Sequence, residues 1–266
     1  MGALDMELMN EVIAEKNSVT RVIADEGTPE TVWDAWSGLD AVELIPVEKW
    51  IHPMARLVVV APHPDDEILA CGGLMALHAR RGGKSLVVAV TDGEASHGED
   101  RQWRGGRLGE TRRAERIRGL AQLGCAETEV HRLGLPDSKV ASHFKTLQSE
   151  LSKLMHWGDI VVTTWRLDGH PDHEACGSAV ARVCADVRCC LIEAPVWMWH
   201  WGRPDDQRVP WHRMVGLQLP CEAVLRKQRA VESHASQLLT RGEAKAPVLG
   251  QTMLDRLARR TEYFFV

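Results

Sequence analysis

The chain has 266 residues, 44% hydrophobic and 26% charged, with a formal net charge of -5; this is the balance of a globular protein long enough for one large core. The charge gives no global basic field, so nucleic acid is not an expected partner, and no apolar run approaches the roughly 20 residues that a membrane span needs. The N-terminus, MGALDMELMNEVIAEK, carries acids where a secretory leader has basic and then apolar residues, which predicts a cytoplasmic location.

Residues 1–50 read as a helical extension packed on the main domain, with TVWDAWSGL as an amphipathic segment. From there the pattern alternates. LVVVAP (57–62) is a buried strand, and a helix follows from Glu67 to Arg80. SLVVAVTDG (85–93) is a second strand, and a polar glycine-rich loop leads to a helix that ends near Leu123-Gly124. TEVHRLGLPD (128–137) is a third strand running into a loop. A helix spans His143 to His156, and DIVVTTW (159–165) is a fourth strand. His173 to Cys184 is helical, and RCCLIEAPV (188–196) is a fifth strand. Strands alternating with helices imply right-handed crossovers and a mostly parallel sheet covered on both faces. The expected fold is therefore α/β, a three-layer Rossmann-like sandwich, in one domain over 51–266. Within that domain residues 197–222, rich in Trp, Pro and Arg, read as an irregular cap. Helical spacing resumes from Cys221 to Gln237, and EYFFV closes the chain as an apolar tail that docks. The seven cysteines have no regular spacing and read as buried thiols.

Ligands of open parallel sheets bind beyond the carboxyl ends of the strands. Two polar clusters fall there, His63-Pro64-Asp65-Asp66 after the first strand and His170-Pro171-Asp172-His173 after the fourth. In the common doubly wound strand orders these two strands are neighbours, so the clusters can converge. Each cluster holds residues three apart, on one side of a loop-to-helix junction. Two imidazoles and one carboxylate suit a zinc-like divalent metal and leave a coordination position open to water. Asp65 is then placed to take a proton from that water, and His170 to orient a ligand or polarise a substrate carbonyl. Taken alone, HPDD also reads as a helix cap and HPDH as a polar turn; the pair points to a metal.

APHPDDE with a following glycine pair, TDGE, an R-x-x-E helix ending in LG, GLPD and HPDH, in that order over about 57–177, closely resemble the LmbE/PIG-L family of metal-dependent N-deacetylases. A weaker echo occurs at Lys227-x-x-Ala230 and His234-Ala235-Ser236-Gln237. The resemblance implies a Rossmann-like fold holding one zinc ion, with iron as the other metal to consider, and hydrolysis of the acetamide of an N-acetylglucosamine-type sugar or glycoconjugate. Carried over, His63, Asp66 and His173 are metal ligands, Asp65 is the general base and His170 stabilises the transition state. Arg112 and Asp137 contact sugar hydroxyls, with Glu94 a less certain member of that set. Some relatives place a tyrosine two residues before HPDH as an oxyanion contact, whereas this chain has Asp168 there.

In a strand, Trp197, Trp199 and Trp201 would face one way. Core packing is one reading of them; the other is a stacking wall, with Trp199 and His200 lining a substrate mouth. The expected partner is a small N-acetylated sugar or glycoconjugate, and the apolar extensions could also serve an interface between copies of the chain. Two competing functions are a metal- or nucleotide-binding module without catalysis, and a non-haem iron oxygenase. The H-x-x-D spacing and the βα alternation disfavour the oxygenase. Gly72-Gly73 and Gly82-Gly83 form no phosphate-loop motif; the first pair reads instead as close helix packing.

Overall fold

A computed structural model describes residues 21–98, 100–241 and 246–266. The expected α/β sandwich is present. Eight strands form one sheet in the order β1-β7-β8-β6-β5-β2-β3-β4. They are β1 (Glu43–Leu44), β2 (Leu57–Ala61), β3 (Ser85–Ala89), β4 (Glu129–Arg132), β5 (Ile160–Thr164), β6 (Cys190–Ala194), β7 (Met214–Gln218) and β8 (Thr261–Phe265). All pairings are parallel except those of β8, which runs antiparallel between β6 and β7.

The strand sequences explain why the sheet sits in the middle layer. LVVVA of β2 is β-branched and buried at every position, as a strand covered on both faces must be. Leu57 and Val59 enter the core beneath helix α3 (Asp66–Arg80) and helix α8 (Cys221–Glu232). Val58 and Val60 face helices α5 (Phe144–Leu154) and α6 (Pro171–Val187). The remaining helices are α1 (Glu30–Asp34), α2 (Val47–Trp50), α4 (Arg107–Leu123), α7 (Met198–Trp201), α9 (Ala235–Leu238) and α10 (Gln251–Asp255). Strand order reverses between β2, which crosses through α3 to β3, and β5, which crosses through α6 to β6. HPDD follows β2 and HPDH follows β5, so the two motifs flank the switch point.

Several expectations are corrected. The apolar tail does not merely dock: it is β8, inserted into the sheet. The region 197–222 is not wholly irregular, since it contains α7 and β7. Trp197 to Trp201 do not form a strand. They lie in and just before α7, so alternate residues do not share a face. Residues 1–20 lie outside the described residues. Within 21–50, β1 pairs with β7 and Trp33 is fully buried in an aromatic cluster with Trp165, Trp199 and Trp201, so this segment is built into the main body. All seven cysteines are free, with Cys190 and Cys221 exposed rather than buried. No helix among the described residues is long and apolar enough to cross a membrane.

Helix α3 is broken at Cys71 (φ -149°), just before Gly72-Gly73. A side chain at Gly73 would meet Leu219 at 2.5 Å, so close packing is the right reading of that pair. The break frees backbone groups, and two distant residues satisfy them. Glu262 of β8 accepts from the Gly73 and Leu74 N–H groups at 2.7 and 2.9 Å, and Lys227 donates to the Leu69 carbonyl at 3.0 Å and to Glu262 at 2.7 Å. The Lys227 echo thus supports the helix that carries HPDD. Glu262→Ala is expected to cost about 3–5 kcal/mol in urea unfolding, because it strands a buried ammonium and two buried N–H donors. A loss under about 1 kcal/mol, the net worth of an ordinary hydrogen bond, would show that this pair does not hold the break.

Candidate metal centre

Pro62 ends β2, and its carbonyl accepts from Thr91 of the neighbouring segment. The chain then turns sharply into α3. Asp65 precedes the helix at φ +136°, a conformation that costs a non-glycine residue about 1–3 kcal/mol and is typical of sites whose surroundings enforce it. The enforcing group is Arg112. Its guanidinium donates to the Gly93 carbonyl at 2.9 Å, the Pro64 carbonyl at 2.9 Å and the Asp65 carboxylate at 3.1 Å. Three residues on, Glu115 accepts from the N–H and hydroxyl of Ser236 at 2.8 and 2.6 Å. R-x-x-E therefore ties both HPDD and the HASQ segment to α4.

His63, Asp66, His170 and His173 converge. Asp66 Oδ2 lies 3.1 Å from His63 Nδ1 and 3.2 Å from His173 Nε2. Donors about 2.1 Å from a shared tetrahedral ion are separated by roughly 3.4 Å, close to each of these two contacts. The outward nitrogens are held by acids. His173 Nδ1 is 2.8 Å from Asp168 Oδ2, and its Nε2 is a buried atom without a hydrogen-bond partner. His63 Nε2 lies 3.2 Å from Asp137 Oδ1 and 3.3 Å from Asp172 Oδ2. Carboxylates that take one ring N–H leave the other nitrogen's lone pair facing inward, the arrangement of metal-bound imidazoles.

The rings of His63, His170 and His173 also offer a grouping with donor atoms within 4.8 Å, as do His63, Asp137 and Asp172. Two contacts disfavour these. The Asp172 N–H donates to His170 Nδ1 at 3.3 Å, which puts the proton of the neutral ring on Nε2 and makes that nitrogen a donor, not a ligand. Asp172 is committed to the Ser138 and Val140 N–H groups at 2.7 and 3.1 Å.

The charge balance also asks for a cation. Asp65, Asp66, Asp137, Asp168 and Asp172 are all buried, and buried carboxylates are stable only when compensated. Although burial opposes it, the Asp66 and Asp168 carboxylates raise His173 to about 9. Burial and the neighbouring imidazoles hold His170 down to about 3, so its ring is neutral. Burial lifts Asp65 to about 7, with Arg112 pulling it down and Asp66 pushing it up.

A cavity of about 660 Å³ opens over this cluster, lined by His63, Asp65, Asp66, Arg112, Asp137 and His170, and also by Ser138, Trp197, Gln237 and Arg241. The remaining sequence candidates are placed differently. Glu94 is exposed and accepts from the Asp137 N–H at 2.9 Å. Arg112 and Asp137 line the cavity while bound to Asp65 and His63 respectively, so both carry a structural load beyond any sugar contact. Trp199 and His200 do not line it. Trp199 is buried against Trp33, with ring centroids 5.0 Å apart, and His200 lies 2.9 Å from the Ala24 carbonyl through Nε2. Of the tryptophans expected as a wall, Trp197 is the one at the cavity. Asp168 stands where some relatives have tyrosine. It is fully buried, bound to His173 and to the N–H groups of Val196, Trp197 and Met198, so it cannot face an oxyanion. The orienting roles of Asp168 and Asp172 carry no signal in spacing alone. Gln237 had one in the HASQ echo.

Fold and cluster together define a class: a Rossmann-like α/β protein with a histidine–aspartate cluster at its switch point. Residues 58–184 match the family model PIG-L, described as GlcNAc-PI de-N-acetylase. No curated protein matches the chain. Solved structures that it resembles include a deacetylase of the teicoplanin biosynthesis pathway, with TM-score 0.60, 19% identity, and 79% of this chain and 97% of that one covered. A conserved protein of Thermus thermophilus has TM-score 0.57, 20% identity, and coverage of 80% and 94%. The N,N'-diacetylchitobiose deacetylase of Pyrococcus horikoshii has TM-score 0.52, 20% identity, and coverage of 68% and 70%. At these identities the shared property is the fold.

Proposed function

We propose that the protein is a metal-dependent N-deacetylase that hydrolyses the acetamide of an N-acetylglucosamine-type sugar or glycoconjugate. The observation that carries this reading is the convergence of His63 Nδ1, Asp66 Oδ2 and His173 Nε2, with the non-ligating Asp65 beside them at the floor of a cavity. That donor set suits zinc. The family's description and the deacetylases among its structural relatives support the substrate class.

When bound, the metal supplies an acidified water and a Lewis-acid hold on the carbonyl oxygen. Asp65, steered by Arg112, takes a proton from the attacking water. His170, neutral and with its proton on Nε2, donates to the carbonyl oxygen as that atom gains charge. Asp65 then returns the proton to the departing nitrogen, so that amide and water become amine and acetic acid; the acid's proton passes to the free amine or to solvent, and Asp65 ends in its starting state. His63 and His173 are held in register by Asp137, Asp172 and Asp168. The purified protein is expected to contain one zinc or iron per chain and to release acetate from one of a panel of N-acetylated sugars, thiol-sugar conjugates and glycolipids. A chelator removes that activity and the metal restores it. Tight metal binding with no acetate from any member of the panel would favour a non-catalytic module.

A further inference from the structure

Among the described residues, the buried arginines Arg21, Arg112 and Arg116 each have a carboxylate partner. Arg256 has none. It lies in the short turn after α10 and is 7% exposed. One Nη donates to the Thr28 carbonyl at 3.0 Å, the other reaches only the Met253 sulfur at 3.9 Å, and Nε has no acceptor. The cations around it are already neutralised. Arg259 forks onto both oxygens of Glu30 while lying 4.1 Å over the Trp199 ring, and Lys227 is 2.7 Å from Glu262.

Beside Arg256 is a cavity, separate from the metal centre, whose lining includes Arg259, Thr261, Tyr263 and the paired Lys227 and Glu262. Leu69 lines both this cavity and the one over the metal centre. A buried guanidinium without a counter-ion is unfavourable, and its fork of donors matches the paired oxygens of a carboxylate or phosphate. Burial and the charge of Arg259 hold Arg256 down to about 10, against the weaker pull of Glu30 and Asp255.

We propose that this cavity is an anion subsite in which Arg256 receives a carboxylate or phosphate group. That group arrives either on a free small anion or on an acidic arm of the substrate reaching past Leu69; the second source rests on the proposed deacetylase reading. The test is isothermal titration of the full chain with sodium phosphate and with sodium succinate at constant ionic strength. The wild type is expected to bind one of them saturably, and Arg256→Met to bind it at least tenfold more weakly. The anion is expected to raise the melting temperature of the wild type and not of the variant. If Arg256→Met does not fold, Arg256→Gln, which keeps a donor for Thr28, takes its place. No saturable binding by the wild type, or equal binding by the variant, overturns the subsite. Kinetics on neutral and acid-bearing N-acetylated sugars then separate the sources. A tenfold rise in KM confined to acid-bearing substrates identifies a substrate arm, whereas unchanged KM values with the anion still bound identify a free ligand. Failure of the wild type to release acetate would sink the deacetylase reading and leave the titration result standing.

Discussion

Asp65→Asn is expected to lower kcat on an acetylated sugar by about 10²–10⁴ while leaving the metal content at the wild-type level. The substitution keeps shape and the acceptor oxygen that Arg112 holds at 3.1 Å, and asparagine tolerates positive φ better than most residues. What it loses is the ability to take a proton. The proposed metal ligands are His63, Asp66 and His173, so metal affinity should survive. Metal analysis beside steady-state kinetics reads both quantities on one sample. A variant with wild-type kcat would move the base elsewhere, and one that lost its metal would make Asp65 a ligand.

His173→Ala is expected to abolish stoichiometric metal binding, and activity with it. It removes an inward-facing nitrogen and the ring N–H that Asp168 accepts. Asp168→Asn tests the layer behind it, and metal affinity should fall by about 10–100-fold, measured by competition with a chromogenic chelator. The graded pair matters because Asp168 also accepts from three backbone N–H groups at 2.9–3.0 Å. An unfolding experiment on Asp168→Asn separates loss of ring orientation from loss of the turn after β6. If His173→Ala binds metal as tightly as the wild type, the donors are instead His63, Asp137 and Asp172.

The central strands were legible because β2, β3, β5 and β6 are short β-branched or apolar runs with helices of ordinary length between them, and the first three are buried along nearly their whole length. β1, β7 and β8 were not. MVGLQ is interrupted by glycine, and TEYFF, though rich in strand formers, has no local sign of what it pairs with; what makes β7 and β8 strands of this sheet is their pairing across the fold, with β8 coming from the end of the chain. Trp197 to Trp201 illustrate the converse error. A short apolar run has no periodicity long enough to separate strand from helix, and the strand reading put a platform where the protein has one turn of helix packed into an aromatic core.

By itself the sequence determined the α/β class, the two histidine–aspartate clusters at strand ends, and their convergence. These follow from local pattern plus the handedness of crossovers, which leaves few ways to place β2 beside β5. Only the tertiary structure decided how those residues divide the work. Arg112 became the clamp on Asp65 rather than merely a sugar contact, and Asp137 and Asp172 became the backing for His63. Asp168 became the backing for His173, and Trp199 and His200 became core. Each of these roles depends on which nitrogen or oxygen faces which neighbour across the fold. Spacing along a chain fixes which side of a helix a residue occupies, but not what distant segment waits there.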